Sequence, residues 1–401
     1  MAHGLVELPW WGYLITLLVM THITIAGVTI YLHRHQAHRA LGLHPLISHF
    51  FRFWLWLTTA IVTREWAAIH RKHHAKCETV DDPHSPKILG IRKVLWDGIS
   101  LYRSEQKNEE TIRRYGHGTP DDWIEHHLYT RYRDAGIVIM LIINLLMFGP
   151  IGLSIWAIQM AWIPFFAAGV INGLGHHGGY RNFESPDAST NLLPLGLLIG
   201  GEELHNNHHA FPASAKLSVK WWEFDIGWMY ICLLKLAGLA SIKRTVPKPR
   251  FDFAKTVIDS ETAKAIITNR FQIMARFAKE VLRHVHKEEL QKADRNDRKT
   301  WLSLKHARKL MTREQSLLDE RSRAILRQAL EQYHNLRTVY TMKQKLQHIW
   351  DRSATTQEHL MQAIEDWCKQ AEATRIAVLG EFAARLRACT MGPVQKQPSA
   401  C

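Results

Sequence analysis

The stretch WWGYLITLLVMTHITIAGVTIYL, Trp10–Leu32, runs without interruption into HRHQAH, His33–His38. Its first part is apolar apart from His22 and small polar residues, and about 20 apolar residues suffice for a helix to cross a bilayer. Its second part ends the run on three histidines. The residues before Trp10 include no Lys or Arg. The run also lacks the basic start and small-residue cleavage site of a secretory leader, so it reads as a span.

Three further apolar runs follow. Leu46–Val62 contains His49 and Arg52. Ile137–Ile171 is flanked by Arg131 and Arg133 and broken at Gly149-Pro150. It is too long for one span, and a proline ends the helical hydrogen-bond ladder, so it predicts a tight helical hairpin. Ile226–Ala240 is shorter and holds Lys235, which reads as an interfacial or buried helix. Between residues 64 and 133 lie 13 Lys or Arg, which predicts a cytoplasmic loop. Trp and Tyr cluster at the ends of several runs, as they do at membrane interfaces.

The whole chain has 401 residues, 51 Lys+Arg against 37 Asp+Glu, and 46% hydrophobics, which excludes a disordered chain. Cys77, Cys232, Cys368, Cys389 and Cys401 are scattered without a CxxC pair. This excludes a disulfide scaffold and fits a reducing compartment. No proline occurs between Pro249 and Pro393. From 251 to 401 the chain carries 27 Lys+Arg and 18 Asp+Glu, a net +9, against 24 and 19 in the first 250 residues. Leu318, Ile325, Ala329, Tyr333, Leu336 and Tyr340 recur at helical steps, with Ser322 on the same stripe. The expected division is a membrane domain over 1–248 and a basic α-helical extension over 249–401. The histidines at 284, 286, 306, 334, 348 and 359 lack ligand spacing and read as surface residues. No nucleic-acid motif is present, so nucleic-acid binding is only a weak third option for this region and no nucleic-acid partner is expected. The charge suits an anionic membrane surface or self-association.

The chemistry sits in four histidine clusters: His33-x4-His38, His70-x2-His73-His74, Asn172-x3-His176 and His205-x2-His208-His209. Positions i, i+3 and i+4 share one helix face. Three imidazoles converging there repel one another if protonated and are costly to desolvate unpaired. A transition metal resolves both problems. Nine imidazoles exceed the four to six ligands of one ion, so two metals are implied. Asn172, one turn before His176, is placed to hold a metal-bound water.

Metals also constrain topology, since all four clusters must meet on one side of the membrane. His33 and His70 flank Leu46–Val62, so that segment is expected to lie in the interface with Arg52 reaching water. The 137–171 run must cross twice. The result is an all-α integral membrane protein with about three transmembrane helices and an interfacial helix. It carries a His-rich di-metal site on the cytoplasmic face and a helical C-terminal extension. The expected location is the cell (inner) membrane, multi-pass.

Two metals held by nitrogen beside membrane helices suggest oxygen activation on an apolar substrate. Zinc hydrolysis competes, with Glu202 and Glu203 as available bases, but nine His without a carboxylate ligand favour redox iron. A His-rich metal transporter would place its ligands inside the spans, where only His22 lies.

These boxes resemble those of the membrane fatty acyl desaturase family. So do Asp82-Pro83-His84, Gly179-Tyr180-Arg181, Ser189-Thr190-Asn191, Gly201–Phe211 and Trp221-Trp222-Glu223-x-Asp225, the last like the bacterial and cyanobacterial members. The resemblance covers about 10 to 245. It implies a di-iron enzyme that inserts a cis double bond into a saturated long-chain acyl group, most often at the ninth carbon. It would use O2 and two electrons from an external donor such as ferredoxin with its reductase, on an acyl-lipid or acyl-CoA substrate. A hydroxylase or related oxygenase of the same metal chemistry is the alternative. By the resemblance, one iron takes His33, His70, His74 and His208, with Asn172 through water, and the other takes His38, His73, His176, His205 and His209. No catalytic residue beyond the metal centre is implied. His35 and His177 are additional and read as surface residues.

Asp81, Asp82 and His84 are candidates to orient the ligating imidazoles, which usually donate their second N–H to a carboxylate or carbonyl. Glu65 and Trp66 lie one turn before His70, facing either the site or the interface. Arg64, Arg71, Lys72, Lys76, Arg92 and Lys93 read as a basic surface that suits an anionic headgroup, coenzyme A or an acidic electron donor.

Overall fold

The structure is a computed structural model describing residues 4–294, 297–351 and 356–391; Cys401 lies outside the described residues. It is predominantly helical, with strands only in short two-stranded pairings among the described residues. The chain forms two compact units. One comprises residues up to Arg181 and Asp187–Val246, the other Asn182–Pro186 together with Pro247 onward.

In the first unit, α1 (Trp10–Ala26) continues with π winding over Gly27–Ala37, giving one helix of 28 residues. Its inner end is the core of the unit: Ile30, Tyr31 and Leu32 are buried with Leu41, Leu55 and Ile231. Strand Leu41–Leu43 pairs antiparallel with Ala240–Ile242, fixing the chain just after the first histidine box.

Helices α2 (Pro45–Thr59) and α3 (Thr63–Lys76) meet at an 87° bend, where Ala60 takes a left-handed conformation (φ 55°) and closes α2. The expectation that Arg52 reaches water is overturned. Arg52 is buried, donating to both Asp122 carboxylate oxygens (2.7 and 3.0 Å) and to Glu125 (2.8 Å). A guanidinium on an otherwise apolar helix is desolvated only when its fork is filled by carboxylates.

After α4 (Ile91–Gln106), the hairpin expected over 137–171 is seen as α5 (Ala135–Phe148) and α6 (Pro150–Ile163), the latter continued by π winding over Pro164–Ile171. Gly149 separates them at φ 62°, ψ −147°, a conformation open to glycine, and Pro150 starts α6, where its missing N–H is no loss. Trp156 Nε1–H donates to Ile137 O across the hairpin (3.0 Å).

Two helices, Trp10–Ala37 and Pro150–Leu174, are long and apolar enough to cross a membrane, or three if the bent α2–α3 pair counts as one span. Helix α5, at 14 residues, is shorter than a span, so the expected set of three differs in membership. Helices α7 (His205–Ala210) and α8 (Ile226–Leu236) complete the unit.

The second unit is a helical bundle around Phe277, Trp367 and Phe382, whose ring centroids lie 5.0–6.2 Å apart. The stripe through 318–340 is buried at Leu318, Ala329, Leu336 and Tyr340 but is split between helices Glu320–Gln332 and 334–351, which break at Tyr333. His286, expected at the surface, is buried, with Nε2 2.8 Å from Leu304 O.

Candidate metal centre

The π winding at the end of α1 explains the H-x4-H spacing. In an α-helix, at 100° per residue, positions five apart point about 140° away from each other. With i→i+5 bonding they stack. His38 N–H donates to His33 O (3.0 Å), and both imidazoles face one site. On α3 the i, i+3, i+4 triplet straddles two sites: His70 and His74 face one, His73 the other. On α7 His208 goes to the first site, while His205 and His209 go to the second.

The first group brings together His33, His38, His70, His74 and His208, with donor atoms all within 4.8 Å of one another. The Nε2–Nε2 separations are 3.0 Å for His33–His208, 2.8 Å for His38–His70 and 2.8 Å for His74–His208. Membership differs from the resemblance at His38, which joins this group. In the second, His205 Nε2 lies 3.0 Å from His176 Nε2 and 3.1 Å from His209 Nε2. His73, His176 and His209 form a group with Cys77.

Two observations fit metal ions. Metal–nitrogen bonds of about 2.1 Å at right angles place neighbouring nitrogens about 3.0 Å apart. In addition, His208 Nε2 and His205 Nε2 each approach two other nitrogens, whereas a neutral imidazole nitrogen offers one in-plane site, a lone pair or a proton. A shared cation satisfies what hydrogen bonds cannot.

The tautomers are set from behind. His33 Nδ1–H donates to Glu202 Oε1 (2.7 Å), His73 to Asp82 (2.9 Å) and His176 to Glu78 (3.0 Å), while His209 pairs with Asp187 (3.3 Å). Carboxylates only accept, so these rings carry the proton on Nδ1 and point the Nε2 lone pair inward. Burial pushes Asp82 and Asp187 upward, but the charge and hydrogen bonds of His73 and His209 more than offset it, holding both well below the usual carboxylate range. Burial and then neighbouring imidazoles push His205 and His208 well below the ordinary imidazole value. Burial takes His209 down to about 4 despite Asp187.

Of the sequence candidates, Asp82 does orient an imidazole. Asp81 does not: it is exposed and pairs with Lys76 at 3.3 Å, because the turn after α3 directs it outward. His84 is buried and packs against the His73 ring (centroids 4.2 Å) without a hydrogen bond to it. Glu78, Asp187 and Glu202 were missed as orienting groups. Glu202 and Glu203 are not available as bases: Glu202 holds His33 and Thr29, and Glu203 accepts the backbone N–H of Leu198, Ile199 and Gly201.

His35 Nδ1 lies against Leu41 O (3.0 Å), away from the cluster, and His177 is exposed. The basic surface is smaller than expected, since Arg71 is spent on the carbonyls of Gln36, Ala37, Tyr115 and His117, and Lys72 pairs with Glu105.

A cavity of about 320 Å³ opens beside the first group, with His70, His84 and Asn172 in its wall. Trp66 stacks on His70 (5.0 Å) and faces this cavity, whereas Glu65 is outside its wall and accepts from Arg133 and Gln106, which are part of it. The rest of the wall is mostly apolar, including Ile69, Ile99, Ile137, Trp156 and Met160.

An apolar cavity against paired imidazole clusters, carried on helices of membrane-spanning length, defines a membrane protein with a histidine-rich site able to hold metal. The chain belongs to the fatty acid desaturase family, whose model matches residues 8–229, and it is an oxidoreductase of fatty acyl chains. It is 31% identical over 225 residues to an sn-1 stearoyl-lipid 9-desaturase of Synechocystis sp., covering 55% of this chain and 68% of that one. To the same-named protein of Anabaena variabilis it is 29% identical, covering 54% and 77%. To an acyl-CoA 5-desaturase of Anemone leveillei it is 29% identical, covering 63% and 78%. Residues 251–392 match a different family, described as transposase. That match falls on the segment for which no nucleic-acid motif was found, and it contains none of the histidine boxes.

Proposed function

We propose that this desaturase places a cis double bond at the ninth carbon of a saturated long-chain acyl group at a di-iron centre on the cytoplasmic face of the cell membrane. The observation that carries the reading is the apolar cavity whose wall includes His70 and Asn172. The two stearoyl-lipid 9-desaturase relatives support the ninth carbon, and the relatives together support an acyl chain carried on lipid or on coenzyme A.

His33, His38, His70, His74 and His208 would hold one iron; His73, His176, His205 and His209 the other. Asn172 would act through a bound water. When bound, the irons supply O2 activation with electrons from an external donor such as ferredoxin and its reductase. The chain's own residues do the rest. Trp66, Ile69, Ile99 and Ile137 exclude water and hold the methylenes against the centre. Glu78, Asp82, Asp187 and Glu202 keep the imidazoles oriented. Arg103 and Gln106, also in the cavity wall, supply polar contacts for the carrier end. None of the residues proposed for this site falls within 251–391.

Expression in a host lacking desaturases, followed by fatty-acid analysis by bond position, tests the reading. A new Δ9 monoene is expected; hydroxylated chains without a monoene would reject it.

A further inference from the structure

The segment Leu192–Leu198 and the Trp221-Trp222 step are not used by the metal centre, and both turn apolar side chains outward. Leu193, Leu195, Leu197 and Leu198 are 41–52% exposed, and Trp221 is 95% exposed. They belong to one surface. Leu195–Gly196 pairs in parallel with Phe224–Asp225, which sets Leu195 beside the exposed Phe224. Further along the chain, Met229, Leu233 and Leu236 are exposed at one-turn steps on α8. A single exposed leucine is ordinary, whereas a contiguous apolar patch marks a binding surface.

The polar groups of the same region point inward. The buried Glu203 carboxylate accepts the backbone N–H of Leu198 (2.6 Å), Ile199 (3.0 Å) and Gly201 (3.1 Å). Leu192 N–H donates to Glu203 O (2.8 Å), and Phe224 N–H to Pro194 O (2.9 Å). Gly200 O accepts from Thr29 (3.1 Å) and from Arg34 (2.8 Å), and Arg34 is itself buried against Asp225. Charges inside and leucines outside reverse what water selects. Hydrocarbon selects this arrangement, because backbone groups there must find partners within the protein.

The patch also continues the sides of both helices long enough to cross a membrane. Trp162 Nε1–H of α6 donates to Leu198 O (3.4 Å). A Cβ on Gly200 would lie 2.5 Å from the Thr29 methyl on the continuation of α1. His22 Nε2 lies 2.6 Å from the Tyr230 hydroxyl, which ties α8 to α1. Trp162 stands on the order of 10–15 Å of helix before Asn172, so the loop reaches from the level of the histidines toward the bilayer middle.

We propose that residues 192–198 and 221–224 dip into the hydrocarbon of the leaflet nearest the histidines, and that the partner of this surface is the acyl chains of that leaflet. The proposal rests on the membrane reading above and adds a contact beyond the spanning helices. Its consequence is positional. Glu202 and His205 follow the loop directly, so the inserted loop holds the third histidine box at the membrane surface, where lipid-borne acyl chains lie.

The test encodes the photocrosslinker p-benzoylphenylalanine singly at Leu195, Leu197 or Trp221 of the full-length protein in vesicles of dioleoyl phosphatidylcholine. The label at Leu14, exposed on α1, serves as the spanning control, and at Glu110, exposed on a polar segment, as the aqueous control. After irradiation, mass spectrometry should find lipid adducts at all three test positions at a yield at least about tenfold above Glu110. Lipid adducts at Leu14 but not at the three test positions would overturn the proposal and leave the membrane reading standing. Chain-to-chain adducts in place of lipid adducts would overturn it in favour of a second copy on this surface. No lipid adduct at Leu14 either would overturn both readings.

Discussion

His208 shows why single residues matter in this centre. Its Nε2 lies within 3.0 Å of two other imidazole nitrogens, and its ring joins α7 to both α1 and α3. His208→Ala should abolish desaturation and lower bound iron from two to one or fewer per chain, measured by metal analysis of purified protein. Asp187→Asn is milder: the amide no longer favours the correct His209 tautomer, and iron affinity should fall about 10- to 100-fold with the fold intact. The clustering of the histidines was legible because their spacings are local and helical. The orienting carboxylates were less so. Asp82 follows the second box closely, whereas Glu78, Asp187 and Glu202 reach their imidazoles through loop geometry that no spacing encodes.

Among the elements, the crossing of α4 over the π-wound segment 164–171 sets the cavity. Gly98 and Gly169 face each other's helices, and a Cβ on Gly98 would sit 2.4 Å from Ala168 O. Gly98→Ala should therefore force the helices apart, costing about 1–3 kcal/mol and lowering activity through substrate binding; a thermal melt and the apparent KM report the two effects. The hairpin at Gly149-Pro150 was readable because both residues have backbone rules of their own. The π windings were not, since they depend on how each helix end is held by its neighbours. They are nevertheless what turns an H-x4-H spacing into a shared site.

For the whole molecule, pH acts on the cluster in one direction. Burial keeps His205 and His208 neutral in the folded state, whereas in the unfolded chain they bind protons near 6.5. As pH falls below that value the unfolded state takes up more protons, and stability drops by about 1.4 kcal/mol per unit for each such ring. Asp82 and Asp187, held low in the folded state, add to the loss only below about pH 4. Metal-free protein should thus melt progressively lower from pH 7 to 5, while iron-loaded protein should show a flatter profile until the metal is released. A chain ending after Pro249 should keep its double-bond position in lipid analysis, because the site is built from residues 33 to 209.

By itself the sequence determined the helical membrane class, the break at Gly149-Pro150, the nine histidines and the family. Each of these rests on a local pattern: apolar run length, backbone-restricted residues or side-chain spacing. Only the tertiary structure decided that Arg52 is buried in ion pairs, that His38 joins the first group, and that Arg71 serves the backbone instead of a partner. Those outcomes depend on which groups meet across long sequence separations, where desolvation and the filling of each hydrogen-bonding site choose among neighbours that the local sequence does not name.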